Sequence, residues 1–121
     1  MTIQKKHGDH GEELVAAELK KRGYQIVACK YRKVFGEIDL IAKKESLLAF
    51  VEVKLRSSQK IDLGELIITS KQRKIIAAAK AYLMEYKCDK MIFRFDVALV
   101  DNSHGVPSII YIEDAFHASE N

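Results

Sequence analysis

Asp39, Glu52 and Lys54 are the residues whose types and spacing could do chemistry. Asp39 stands in "GEIDLIA", and Glu52 and Lys54 stand two places apart in "FVEVK". A hard divalent cation such as Mg2+ or Mn2+ takes oxygen ligands, usually one or two carboxylates, with waters and a substrate phosphate completing the shell. Asp39 and Glu52 suit that role, and the backbone carbonyl of Val53 adds a third protein oxygen. Such a metal acidifies a water for attack on phosphorus and offsets charge in the transition state. Lys54 would orient that water, stabilise the phosphate charge or act as the base. Glu12, upstream in "GEELVAAEL", would hold a second metal or an outer-shell water.

The elements that must position these groups are two alternating stretches joined by "KKES". Side chains alternate across a strand, so Ile38, Leu40 and Ala42 are expected on one face and Glu37, Asp39 and Ile41 on the other. In the second stretch Leu48, Phe50, Glu52, Lys54 and Arg56 share a face. With the turn centred on Lys44 and Glu45, Asp39 falls opposite Phe50 and diagonal to Glu52. Diagonal Cβ atoms lie roughly 7 Å apart, close enough for both carboxylates to reach one cation. A register slip of one residue would separate them to opposite faces. A half-exposed hairpin with one wet face produces the same alternation, and that reading stands beside the metal site.

Around this hairpin, residues Asp9 to Arg22 predict a helix, with Asp9 and Glu12 at capping-box spacing and Gly23 as the stop. Glu12, Val15, Ala16 and Leu19 share its core-facing stripe. A strand is expected from Tyr24. Ser70 is a plausible cap for a second helix, whose apolar side carries Ile75, Ile76, Ala79 and Leu83, with Tyr82 and Tyr86 packing one turn apart. Strands from Met91 and from Ser108 follow, separated by the loop "DNSHGVP". The order αβββαββ gives an α/β fold with a mixed sheet flanked by helices, because the second helix can carry the chain to a strand pairing elsewhere in the sheet.

The chain has 121 residues, 48% hydrophobic and 31% charged, which fits one compact domain with its own core and leaves no room for a long disordered segment. The domain is expected to span 1–121, with its core over about 8–116. No apolar run approaches membrane-spanning length, and Lys5 and Lys6 lead into "HGDHGEE", so no signal peptide or membrane partner is expected and the location predicted is cytoplasmic. Cys29 and Cys88 match no zinc spacing and read as reduced, structural thiols. His7, His10, His104 and His117 lack a ligand spacing. The net charge of +3 is mild. Position says more: Arg56, Lys71, Arg73 and Lys74 are candidate phosphate contacts, with a solvated lysine-rich surface as the plainer account. Asp96 in "RFDVALV" reads as a structural partner of Arg94 or of a helix end.

The stretches "GEELVAAELKKRGYQIVACKYR", "GEIDLIAKKESLLAFVEVKLR", "KQRKIIAAAKAYL", "RFDVALV" and "IEDAF", in that order, resemble the YraN-like family of bacterial proteins. Asp39 followed by Glu52-Val53-Lys54 also looks like the D…(D/E)xK signature of restriction-endonuclease-like nucleases. The resemblance runs from about Gly8 to Phe116. It implies a restriction-endonuclease-like αβββαβ core, related to archaeal Holliday-junction resolvases, and a metal-dependent nuclease activity. Matched position by position, Glu12, Asp39, Glu52 and Lys54 take the family's site positions, while Glu37 reads as a partner for a nearby lysine or arginine. After Arg56 the chain departs from the family: "SSQKIDLGELIITSK" lacks its proline but keeps an acid at Glu65.

Two functions follow as expectations. The first is a Mg2+- or Mn2+-dependent endonuclease hydrolysing phosphodiester bonds in DNA, with branched or structured DNA favoured by the resemblance and a homodimer suited to a junction's paired strands. The second is a nucleic-acid-binding module that keeps the fold without cutting. A protein-interaction domain with an ordinary hairpin is a third, and predicts neither nucleic-acid binding nor a response to metal.

Overall fold

The structure, a computed structural model, describes residues 3–56, 69–102 and 105–118, and for residues 3–9 and Arg56 the backbone alone. The segment after Arg56 with Glu65 therefore lies outside the described residues, as do His104 and the side chain of His7. Helix α1 (Ile3–Lys21) is followed by β1 (Gln25–Lys33), β2 (Gly36–Lys44) and β3 (Leu47–Arg56). Helix α2 (Thr69–Glu85), β4 (Ile92–Asp101) and β5 (Ser108–Phe116) complete the chain in the predicted order.

The five strands form one mixed sheet in the order β1-β2-β3-β4-β5. β3 and β4 run parallel, and the other neighbours are antiparallel. A parallel pair needs a crossover, which α2 supplies. Its residues Ile75, Ala78, Ala79 and Tyr82 bury against Ile41, Leu48, Phe50, Phe95 and Val97 on one face of the sheet. Val15 and Leu19 of α1 bury against Leu40, Ala49, Val51, Ala98 and Val100 on the other. The fold is α/β, a five-stranded mixed sheet with a helix on each face, consistent with a restriction-endonuclease-like core.

Several local expectations change. α1 begins at Ile3, so Asp9 lies inside the helix and the proposed capping box does not open it; nothing before Asp9 forbids helix, and a helical glycine such as Gly8 costs only about 1 kcal/mol. Gly23, at φ 94, does end it, with the N–H of Tyr24 bonding the carbonyl of Leu19. Ser70 sits within the first turn of α2, since the helix is already formed at Thr69. The buried line of α2 runs through Ala78 and Tyr82 as well as Ile75 and Ala79, with Ile76 and Leu83 at its margin. Tyr82 and Tyr86 do pack on one another, with ring centroids 4.5 Å apart. Ile38 joins the cluster on the α2 side while Leu40 and Ala42 join the α1 side, so alternation breaks at Asp39. Cys29, on edge strand β1, is exposed and not buried among apolar neighbours; it and Cys88 are free thiols.

The wet-faced hairpin is overturned. β3 is the central strand, covered by helices on both faces, and Phe50 is fully buried on the face that also carries Glu52. Among the described residues no helix is long and apolar enough to cross a membrane.

Candidate active site

The pairs Lys44↔Leu47, Ala42↔Ala49 and Leu40↔Val51 fix the hairpin register. Phe50 therefore faces Ile41, not Asp39 as the sequence suggested; Asp39 lies just beyond the last pair, near enough for its carboxylate to act on Glu52 by charge and hydrogen bonding. The turn is Glu45–Ser46, with Glu45 in the left-handed conformation at φ 55. That moves the hairpin register by two residues from the one the sequence suggested, and the two carboxyls still meet.

Glu52 is buried, with only 5% of its surface exposed. Burial pushes its carboxyl up from the ordinary 4.5 to about 7, and the charge and hydrogen bonding of Asp39 push the same way against the pull of Lys71. Lys71, from the first turn of α2, places Nζ 2.5 Å from Glu52 Oε2. Burial works to lower the lysine's pKa, but its bond to Glu52 and the charges of Asp39 and Glu37 outweigh that, and its pKa is raised. Gly36 holds the two elements at this distance: a Cβ there would stand 2.2 Å from the backbone oxygen of Lys74, so only glycine lets β2 approach α2 this closely.

The N–H of Val53 donates to Asp39 Oδ2 at 2.8 Å. In an extended strand the N–H and C=O of one residue leave on the same side, so the Val53 carbonyl faces the side from which Asp39 approaches. Two carboxylates and that carbonyl make a hard-oxygen donor set of the kind Mg2+ or Mn2+ takes. Lys54, half-buried, follows Glu52 by two residues and shares its face. Glu12 stands on the α1 side, lining a cleft with Ala16, Cys29, Lys30 and Leu40, and accepts from Lys30 Nζ at 3.3 Å. It does not complete a cluster: among the described residues no three His, Cys, Asp or Glu side chains gather to hold a metal. Arg73 and Lys74 are exposed on the first turns of α2, while Arg56 ends β3. Glu37 pairs with Arg32, as its sequence context suggested.

The family described as "Uncharacterised protein family UPF0102" matches residues 11–100. A UPF0102 protein of Desulfosudis oleivorans is 42% identical over 117 residues, covering 96% of this chain and 94% of the relative. One from Chlorobium phaeobacteroides is 38% identical over 118 residues, covering 92% and 93%. One from Caldicellulosiruptor bescii is 38% identical over 116 residues, covering 93% and 98%. The chain belongs to the UPF0102 family. This is the YraN-like family that its motifs resemble.

The second buried acid of this UPF0102 chain is of a different kind. Asp96, fully buried on the α1 side, accepts from Arg94 Nε and Nη2 at 2.8 Å each, from the Tyr111 hydroxyl at 2.5 Å and from the N–H of Asp114 at 2.9 Å. The register of β5 slips opposite Asp96, between the pairs Phe95↔Phe116 and Val97↔Ile112, which brings the Asp114 N–H inward. Arg94 also donates to the Tyr24 hydroxyl at 2.8 Å. Burial and then the charge of Asp96 raise the Tyr111 phenol well above its ordinary value. With its lone pairs taken, Asp96 joins Arg94, Tyr24 and Tyr111 as a structural knot, the role the sequence gave it. His117 pairs with Asp114 and makes no metal site.

What sequence reasoning missed in this UPF0102 chain is the place of Lys71, read as a phosphate contact and found on Glu52, and the packing role of Gly36. The signal for Gly36 was its position at the strand start in "GEIDL", where no turn requires a glycine. No local pattern pairs Lys71 with Glu52, because their contact depends on how α2 crosses the sheet.

Proposed function

We propose that this chain is a metal-dependent phosphodiesterase acting on DNA, cutting branched or otherwise structured substrates. One observation carries the reading: Glu52 is desolvated beside a second carboxylate, with its pKa raised to about 7, on the central strand of the sheet. Two acids forced together in a dry place are costly for stability alone, and perturbed carboxylates of this kind gather at functional sites. Asp96 shows what a purely structural buried acid looks like in the same fold, saturated by fixed donors. Glu52 instead meets a lysine that is half exposed.

Asp39, Glu52 and the Val53 carbonyl would hold Mg2+ or Mn2+, which when bound supplies Lewis acidity toward a phosphate oxygen and an acidified water. Asp39 is steadied by the Val53 N–H, so its second oxygen keeps a fixed aim. Lys54 sits on the same face to orient water or take up phosphate charge. Arg73 and Lys74 on α2, with Arg56 at the end of β3, hold flanking phosphates, and the N-terminus of α2 favours anions in the same place. Glu12, held by Lys30, keeps a supporting place on the α1 side. A homodimer would present two such sites to the paired strands of a junction.

The test is cleavage of labelled junction, flap, single-stranded and duplex DNA in Mg2+ or Mn2+, beside Glu52→Ala and Asp39→Ala, with light scattering of the free and DNA-bound protein. Cleavage by wild type that is lost in both folded variants is the expected result. DNA binding with no cleavage, indifferent to metal and to either substitution, would favour a non-cutting nucleic-acid-binding module.

A further inference from the structure

We propose that Lys71 is the built-in counter-ion of the metal-free site, and that it exchanges with the divalent cation, which frees its ammonium for the substrate phosphate. The inference rests on the metal-site reading above.

The ammonium sits 2.5 Å from Glu52 Oε2 and feels the charges of Asp39 and Glu37 as well. It therefore occupies the Glu52 oxygen that a cation shared by Asp39 and Glu52 would need. Two cations within a few ångströms on the same carboxylates repel strongly, so entry of one displaces the other. The two partners are unequal in freedom. Glu52 is fixed, with 5% of its side chain exposed, whereas Lys71 keeps 48% exposed on a flexible four-carbon stem. The backbone beneath Lys71 is pinned, because Gly36 abuts the carbonyl of Lys74 one turn of helix away. Exchange is thus a swing of one side chain and needs no movement of α2. A lysine released there joins Arg73 and Lys74 in the first turns of a helix, where an anion is favoured. Without metal the same lysine protects a desolvated carboxylate from its neighbour; with metal that task passes to the divalent ion.

The experiment is calorimetric titration of Mn2+ into wild type, Lys71→Met, Lys71→Arg and Asp39→Ala at about pH 8.5, where protonation of the acids does not compete. Lys71→Met is expected to bind Mn2+ at least about fivefold more tightly than wild type, within the ordinary range of coupling between two sites. Lys71→Arg keeps the competing charge and should stay near wild type, and Asp39→Ala should lose binding. A second readout is DNA affinity in a Lys54→Ala background, where cutting is slowed. There Lys71→Met is expected to weaken binding when Mn2+ is present and to change it little without metal. Equal Mn2+ affinity in wild type and Lys71→Met, with binding still lost in Asp39→Ala, overturns the exchange and leaves the metal site standing. No Mn2+ binding by any of the proteins overturns both.

Discussion

The carboxylate of Asp39 accepts the backbone N–H of Val53, the residue that follows Glu52. A side chain from β2 thereby takes the place of a ladder partner at the end of the β2–β3 pairing, just beyond Leu40↔Val51. Asp39 has two tasks, one oxygen for the strand and one for a cation, and substitutions can separate them. Asp39→Ala leaves the N–H without its acceptor and is expected to cost about 1–3 kcal/mol. Asp39→Asn keeps an amide oxygen for the N–H and should cost less than about 1 kcal/mol. Both should lose metal affinity. Urea denaturation beside Mn2+ titration checks this, and equal destabilisation by the two variants would contradict it.

Glu52 makes stability depend on pH. Its folded pKa of about 7 lies above the ordinary 4.5. Between those values the unfolded chain has released a proton that the folded chain keeps, so stability is full below about pH 4.5 and declines as pH rises through 7. At about 1.4 kcal/mol per pH unit, the decline reaches about 3 kcal/mol. Glu52→Gln cannot ionise. It should match wild type near pH 4.5 and exceed it by about 1–3 kcal/mol near pH 8, the lower figure allowing for the bond lost to Lys71. Parallel pH profiles for the two proteins in chemical denaturation would refute the assignment.

Lys54 follows Glu52 on the same face and is not placed as a metal ligand. Lys54→Ala is expected to leave Mn2+ affinity within about twofold while lowering cleavage by about 100-fold or more, the usual contribution of a positioned acid–base group. Single-turnover cleavage alongside calorimetry reads both quantities. An equal fall in metal affinity would move Lys54 out of the chemistry and into the support of the metal.

The Asp96 knot belongs to stability. Asp96→Asn removes the charge that faces Arg94 and leaves a guanidinium half-buried without its carboxylate, at an expected cost of about 3–5 kcal/mol. Tyr111→Phe removes one hydrogen bond and should cost about 1–2 kcal/mol. Neither should change Mn2+ affinity, since Asp96 lies on the sheet face opposite Glu52. A stable Asp96→Asn protein with weakened metal binding would show that the two acids communicate.

Gly36→Ala places a methyl where the Lys74 carbonyl already stands, 2.2 Å away. The start of α2 must yield, at an expected cost of about 1–3 kcal/mol. Because Lys71 rides on that turn, its contact with Glu52 should loosen too. Thermal denaturation measures the first effect. The second should appear as a smaller gap in Mn2+ affinity between Gly36→Ala and the same protein carrying Lys71→Met.

The element order is legible in the sequence because alternation and helical spacing are local, and all seven elements appear in the expected order, with α1 starting at Ile3, ahead of the expected Asp9. The meeting of Asp39 with Glu52 is legible, but the hairpin register that brings it about is not. "KKES" offers no glycine or asparagine to mark the left-handed position, and Glu45 takes it unannounced. Burial of Glu52 is invisible locally, since alternation in one hairpin cannot say whether a helix will cover the charged face. The place of Glu12 shows the same limit. Its helical stripe marks it as inward-facing, but only the packing of α1 over Lys30 and Leu40 shows which neighbours it meets.

The contact between Gly36 and the backbone of Lys74 sets the spacing of the acid pair and its lysine through main chain alone. Side chains in the two cores can be exchanged for others of similar volume, as cores generally tolerate, without altering that spacing. The site is therefore insulated from sequence drift in the hydrophobic interior. A chain built this way can diverge widely at its core and keep the geometry of its acids, provided the one position without a side chain stays bare.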